Sequence, residues 1–421
     1  MIGPAPLRLR HVAPAGAPIR LPDLARWAAF ALAGDDVARS LQQAFCERFN
    51  VRHSILTATG RAGLTLLLKA LRRLAPAERD EVILPSYTCF SVAASVVKAG
   101  LRPRIVDINP ETLDFDFDEL NGVTFDRVLA IVATNLYGLP NDLPSIVTLA
   151  RNHGVFVVDD AAQSMGASAF GRPCGTWGDA GLFSLDKGKN VSAIDGGVVV
   201  TNSDSIAEAL RAEMAGLSNP GLAESTAGVA KALVYFLMLR PWLYWIPHRI
   251  PQLELGKTVF TTDFPLELPS RGLMALARTM LPRLEEYTRA RVANAAALLA
   301  ALGAIDGIQT ITPNHGCVPV YLRLPILIAD GAARDESLRH LNRAGIGATG
   351  SYPASLADVP QLAGHLAGTT IAIGGRHVAR HIVTLPTHTF VSPADVARTG
   401  RALTAAGLTS SAASQATSCV E

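Results

Sequence analysis

Val157-Val158-Asp159-Asp160-Ala161-Ala162-Gln163 is an apolar run that stops on two adjacent carboxylates and a carboxamide. Further along, Gly178-Asp179-Ala180-Gly181-Leu182-Phe183-Ser184-Leu185-Asp186-Lys187-Gly188-Lys189-Asn190 brings a second apolar run to an end in a loop with two lysines. Open α/β sheets bind ligands at the carboxyl ends of their strands, so at least one of Asp159 and Asp160 is expected to face a ligand. The competing reading of an isolated acidic pair is that one of them caps the next helix. Loop lysines taken alone are solvated surface charges, and only their surroundings can say otherwise.

Outward from these stretches the same rhythm continues. Short β-branched runs at Val82–Leu84, Arg104–Ile108, Val128–Thr134, Val155–Asp159, Leu182–Ser184 and Val198–Thr201 alternate with helical patterns. That alternation predicts a buried, largely parallel sheet between helices. Gly60-Arg61-Ala62 leads into Leu64, Leu67, Leu68 and Leu71, whose i, i+3, i+4, i+7 spacing predicts an amphipathic helix with an amino end open to an anion. Beyond Asn202 the pattern turns helical at Ile206–Ala215 and again over Arg271–Leu302, a stretch suited to linking two domains. A smaller domain should follow, with a strand at Pro319–Leu324, a helix at Ala333–Ala344, a strand at Ile382–Leu385 and a closing helix at Ser392–Ala406. The expected organisation is an N-terminal arm over 1–36, a large domain over 37–270, a smaller α/β domain over 271–408 and a loose tail over 409–421.

Composition sets limits on function. Hydrophobic residues make up 49% and charged residues 18%, enough apolar material to exclude disorder for most of the chain. The net charge of +2 is spread without a basic block, so no nucleic-acid partner is expected. Five scattered cysteines without CxxC or Cys/His spacing support neither a disulfide framework nor a zinc site, and fit a reducing cytoplasm. The amino terminus lacks the apolar core of a signal peptide, so export is not expected.

With these residues in order, the chain resembles the DegT/DnrJ/EryC1/StrS group of aminotransferases that depend on pyridoxal 5'-phosphate (PLP). The resemblance rests on Asp160-Ala161-Ala162-Gln163, on Gly178-Asp179 with Phe183-Ser184-Leu185 and Lys189-Asn190, and on Asp195-Gly196-Gly197. Thr59-Gly60-Arg61-Ala62-Gly63-Leu64, Pro85-Ser86-Tyr87-Thr88, Val106-Asp107-Ile108 with Thr112-Leu113, Leu136-Tyr137-Gly138-Leu139-Pro140 and Leu385-Pro386-Thr387-His388 add to it, from about 37 to 406. It implies the fold-type-I PLP-transferase architecture, a large domain with a mostly parallel mixed sheet plus a smaller C-terminal α/β domain. It also implies roles. Lys189 matches the lysine that carries the cofactor, and Lys187 is left as a surface charge. Asp160 would face the pyridine nitrogen, Gln163 the phenolic oxygen, and Ser184 with the backbone amides of Arg61 and Ala62 would hold the phosphate, Gly60 permitting the turn.

Three departures stand out. Cys89 occupies the place of the family's ring-stacking aromatic, for which Tyr87 or Phe90 are the candidate substitutes. Asn135 stands where histidine is usual, and only histidine titrates near neutral pH. After Leu217 no residue aligns with the asparagine that the family presents to a partner subunit. In its place is Lys231-Ala232-Leu233-Val234-Tyr235-Phe236-Leu237-Met238-Leu239-Arg240-Pro241-Trp242-Leu243-Tyr244-Trp245-Ile246-Pro247-His248-Arg249, within a hydrophobic insertion over about 229–255. Its two prolines and short apolar run cannot span a bilayer. A buried or dimer-interface hairpin and a peripheral membrane-surface contact both fit it. His315 with Cys317, and His377 with His381, lack a third ligand and read as structural, and Gly374-Gly375 reads as a turn.

The activity implied is amination of a nucleotide-linked ketosugar by glutamate in a cytoplasmic homodimer with shared active sites, serving polysaccharide, lipopolysaccharide or natural-product biosynthesis. An aminotransferase acting on a lipid-linked or cyclitol ketone is the nearest alternative. A non-catalytic, membrane-associated or regulatory member of the fold is the rival from another class.

Overall fold

A computed structural model describes residues 10–32, 36–248 and 258–409. Helices α1 (Leu21–Leu32) and α2 (Val37–Phe49) lead into β1 (His53–Thr57). Strand and helix then alternate through α3 (Gly60–Leu74), β2 (Glu81–Pro85), α4 (Phe90–Lys98), β3 (Arg102–Val106), α5 (Phe117–Asn121), β4 (Val128–Thr134), α6 (Leu143–Asn152) and β5 (Phe156–Asp160). Two short strands, β6 (Ser168–Ala169) and β7 (Arg172–Pro173), precede β8 (Ala180–Ser184) and β9 (Gly197–Thr201). The large sheet has the order β1-β9-β8-β5-β4-β2-β3. Strands β8, β5, β4, β2 and β3 pair in parallel, while β9 is antiparallel to both of its neighbours. The mostly parallel mixed sheet expected from the sequence is therefore present.

The cause is visible in the strands. All seven residues of β4, Val-Leu-Ala-Ile-Val-Ala-Thr, are buried, as a strand covered on both faces requires. Ile131 and Ala133 enter a core shared with Leu41 and Phe45 of α2 and Ile146 of α6. Leu129 and Val132 enter the opposite core, with Leu64, Leu67 and Leu71 of α3 and Val96 of α4. The stripe read from sequence thus faces the sheet. Strand β1 was not anticipated; it is a short edge strand paired only with β9.

Past α7 (Asp204–Met214), the hydrophobic insertion is helical, with α8 (Leu222–Met238), a turn at Pro241 and the short α9 (Trp245–His248). It is no hairpin of strands; Arg249 and the rest of the insertion to 255 lie outside the described residues. The single stretch expected over Arg271–Leu302 is broken into α10 (Arg271–Met280) and α11 (Leu284–Leu302) by a 3-10 turn containing Pro282, which has no N–H to continue the ladder. Helix α10 packs on α1, α2 and α8.

Next come β10 (Ile308–Thr310), β11 (Cys317–Val318), β12 (Arg323–Ile328), α12 (Gly331–Arg343), α13 (Ile373–His381), β13 (Ile382–Pro386) and α14 (Pro393–Ala405). Strands β10, β12 and β13 form one sheet, and β11, β6 and β7 another. The strand predicted at Pro319–Leu324 begins only at Arg323, because Tyr321 turns the chain with φ 48°. Gly374-Gly375 is not a free turn but the start of α13. Its amides donate to the Asp107 carboxylate at 2.7 and 2.9 Å, and Asp107 Oδ1 also accepts from Ser86 Oγ at 2.7 Å. The helix amino end is thereby locked to the end of β3.

The described part of the N-terminal segment, from Arg10 onward, packs against the rest of the chain. His388 Nε2 bonds Ala13 O at 2.8 Å, and Arg291 donates to Gly16 O at 2.7 Å and Leu322 O at 2.8 Å. Arg291 is buried, and among the described residues its hydrogen bonds go to backbone carbonyls and the Thr387 hydroxyl. A Cβ on Gly188 would touch Ala15 at 3.4 Å, so the arm backs the loop that carries Lys189.

Candidate active site

A cavity of about 380 Å³ opens at the carboxyl edge of the large sheet, within the size range of small-molecule sites. Gly60, Arg61, Cys89, Asn135, Asp160, Gln163, Ser184 and Lys189 all line it. The four strands β2, β4, β5 and β8 end here side by side, which is why residues so distant in sequence converge.

The two adjacent carboxylates divide their work. Asp159 is fully occupied: Oδ1 accepts from Asn135 Nδ2 at 2.8 Å, and Oδ2 from the amides of Gly175 at 2.6 Å and Trp177 at 3.1 Å. Burial lifts its carboxyl to about 6 despite those bonds. Asp160 accepts one bond, from the Ala162 amide to Oδ1 at 3.0 Å, and lines the cavity. Burial raises its pKa too, opposed by that amide and by the charge of Lys189. Asp160 is therefore the carboxylate with an oxygen left for a ligand.

Thr59 caps α3, its Oγ1 accepting from the Ala62 amide at 3.1 Å. This bears on the expected phosphate cup: Ala62 does not line the cavity and its amide is already bonded to Thr59, whereas Gly60 and Arg61 do line it. Strand β9 starts directly beneath, where a Cβ on Gly197 would meet Thr57 Oγ1 at 2.5 Å and Thr59 O at 2.6 Å. Ser184 sits opposite, its Oγ 3.3 Å from where a Gly60 Cβ would be. One wall comes from a segment the sequence reading did not identify, with Thr258, Val259 and Thr261 on the cavity. The Phe264 ring holds it, 5.2 Å from the Arg61 guanidinium and 4.6 Å from Lys98 Nζ, which also donates to Thr262 O at 2.9 Å.

Lys189 reaches the cavity from the loop between β8 and β9. Lys187 also borders it, although exposed, so it is a rim residue and not only a surface charge. Gln163 accepts from the Tyr137 amide at 3.0 Å and donates to Tyr352 Oη at 2.8 Å, so most of its amide is spent on the wall. Asn135 is similarly tied, to Asp159 and to the Asn141 amide at 2.9 Å, and serves as a brace for Asp159. Tyr87 and Phe90 do not line the cavity: Tyr87 is buried and bonded to Tyr352 O at 3.2 Å, and Phe90 packs toward the Tyr352 ring. Only Cys89 holds the position of the family's ring. Two lining hydroxyls escaped sequence reasoning, Thr88 Oγ1 and Thr134 Oγ1, both buried without a hydrogen-bond partner.

A carboxylate oxygen, an amine, and a helix amino end beside a serine hydroxyl and a guanidinium suit an aromatic, phosphate-bearing aldehyde, so the residues present fit PLP. Among the described residues no three His, Cys, Asp or Glu side chains come together as a metal site.

The sequence model of the DegT/DnrJ/EryC1/StrS aminotransferase family matches residues 25–234 and 272–404. A UDP-N-acetyl-3-dehydro-alpha-D-glucosamine 3-aminotransferase of Acidithiobacillus ferrooxidans is 36% identical over 184 residues, 44% of this chain and 48% of that protein. A pleiotropic regulatory protein of Geobacillus stearothermophilus is 33% identical over 177 residues, 42% of this chain and 47% of the other. These matches span about half the length of each relative. In structure, an aminotransferase of Helicobacter pylori involved in pseudoaminic acid biosynthesis superposes with a TM-score of 0.77 at 16% identity, covering 94% of this chain and 99% of that one.

Proposed function

Because the chain belongs to the DegT/DnrJ/EryC1/StrS aminotransferase family, we propose that it is a PLP-dependent enzyme that passes an amino group, with glutamate as donor, to the keto group of a nucleotide-linked sugar. The observation that carries this is the convergence of Lys189, the open carboxylate of Asp160 and the first turn of α3 on one cavity. The Acidithiobacillus relative, named for a UDP-linked dehydro sugar, supports the substrate class.

PLP supplies an electron sink for the pair left on a substrate carbon when its C–H bond breaks. Asp160 is the residue that keeps the ring nitrogen protonated, since an anion in a buried site favours the charged partner. Lys189 Nζ would hold the cofactor through its aldehyde carbon, and as a free amine it would take a proton from the substrate carbon and return it. Ser184 Oγ, Arg61 and the first-turn amides of α3 bind the phosphate. Asp159 takes no part in proton transfer; it fixes Asn135 and the Gly175–Trp177 turn behind the site.

The same reading makes the protein a cytoplasmic homodimer in glycan or natural-product biosynthesis. A regulatory role without turnover is the second reading, favoured by the likeness to the Geobacillus protein. Incubation with PLP decides between them. The wild type is expected to show the visible band of lysine-bound cofactor, absent from Lys189→Ala, and no band in the wild type sinks the aminotransferase reading. Asp160→Asn should keep the cofactor but lower amino transfer by at least about 10²-fold; undiminished turnover would remove Asp160 from its role.

A further inference from the structure

Helix α8 is apolar on both sides. Its inner face packs on α10, where Gly228 faces Leu273 and Val229 faces Gly272, and buries Ala232. Its outer face should carry the charges of an ordinary surface helix. Instead, apart from Glu224 and Lys231 on one flank, every exposed residue from Ala223 to Leu237 is uncharged. Small residues, Ala223 and Ala227 among them, give way along the helix to Leu233 (44% exposed), Val234 (58%) and Leu237 (48%), and Trp242 follows at 63%.

We propose that α8 and the Trp242 turn lie in the headgroup layer of an anionic lipid bilayer, inserted obliquely with the Leu237–Trp242 end deepest. Four features favour lipid as the occupant. Apolar size grows toward one end of the helix, as for a tilted interfacial segment. Trp242 sits at that end, and tryptophan rings favour the boundary between headgroups and chains. Lys231 and Arg240 flank the apolar stripe, one exposed on the side of the helix and the other stacked at 5.0 Å on the Phe236 ring, and the only acid in the helix, Glu224, is in its first turn. Finally, among the described residues no helix is long and apolar enough to cross a membrane, so contact is confined to the surface. A second copy of the chain is the weaker occupant, since a stable interface takes about 20–30 residues a side and this stripe offers four exposed large apolar side chains.

Co-sedimentation of the PLP-loaded protein with vesicles tests this without needing turnover, so its outcome is independent of the reaction assigned to the cavity. Vesicles of equal parts phosphatidylglycerol and phosphatidylcholine should carry the wild type down, and pure phosphatidylcholine vesicles should do so less. Leu237→Ser/Trp242→Ser should bind at least tenfold more weakly, with the cofactor band and melting temperature unchanged; Lys231→Gln should weaken only the anionic case. Two results overturn the proposal: a wild type that stays in the supernatant, or a double variant that binds as well as wild type. Conversion of the double variant from dimer to monomer in light scattering, with vesicle binding intact, would assign the stripe to a second copy instead.

Discussion

In the proposed cofactor site Cys89 offers a thiol, and among the described residues no aromatic ring lines the cavity. A thiol has far less surface to stack than an aromatic, and its Sγ is already engaged by Ser91 Oγ at 3.0 Å. Cys89→Phe should restore a stacking partner worth about 0.5–1.5 kcal/mol, slowing loss of PLP about 2- to 10-fold on dilution, while Cys89→Ala stays close to wild type. Decay of the cofactor's visible band measures both, and faster release from the phenylalanine variant would show that the ring does not fit. At this scale the sequence was legible where a residue ends a strongly patterned strand, as Asp160 and Ser184 do; both lie on the cavity, and Lys189 joins them from the loop after β8. It was less legible where one feature had two uses. The resemblance assigned the Ala62 amide to phosphate, and the Thr59 hydroxyl occupies it as the cap of α3. Contacts between remote residues, such as Arg61 with Phe264, leave no local pattern at all.

Among elements, the junction of β3 and α13 ties the edge of the large sheet to the helix that leads into β13. One carboxylate fills a helix amino end that would otherwise attract an external anion. Asp107→Asn replaces charge-assisted bonds by neutral ones and should cost about 2 kcal/mol. Gly375→Ala drives a methyl into Ser86 Oγ and should cost about 1–3 kcal/mol. Urea unfolding midpoints measure both, and unchanged midpoints would mean the junction yields without cost. Strand positions in the large sheet were readable because buried parallel strands are continuous apolar runs. The role of Gly374-Gly375 was not, because a glycine pair marks a close approach without naming what approaches. The break at Pro282 was readable in principle, the residue being a helix breaker inside an otherwise helical pattern.

For the whole molecule, the arm between the lysine loop and the smaller sheet gives a pH dependence. Burial lowers the pKa of His388 from 6.5 to about 4, aided by the charges of Arg291 and Arg323. A depressed folded value means that its stabilisation is full above 6.5 and is lost as pH falls toward 4, on the order of 3 kcal/mol. Asp159 and Asp114, raised by burial to about 6, act oppositely: their contribution is full below 3.8 and is lost as pH rises through 6. Melting curves between pH 6.5 and 4.5 should therefore show a shallower acid decline in His388→Gln than in wild type, and equal slopes would remove His388 as a cause. Little of this was legible in the sequence, where the arm held no periodic pattern. The topology of the large sheet has a consequence for how such a site comes into being. Among the described residues edge strand β1 pairs with β9 alone, so Thr57 and Gly197 meet by closing the whole span of chain between them. The loop bearing Lys189 enters the sheet through that same β9. Local β-α units assemble early because they close short loops, whereas this pairing closes a long one. Lys189 itself sits in a short loop closed by the β8–β9 pair, so the long closure falls on Thr57 and the cap of α3, and the phosphate end of the cavity is the part that depends on joining the two ends of the large domain.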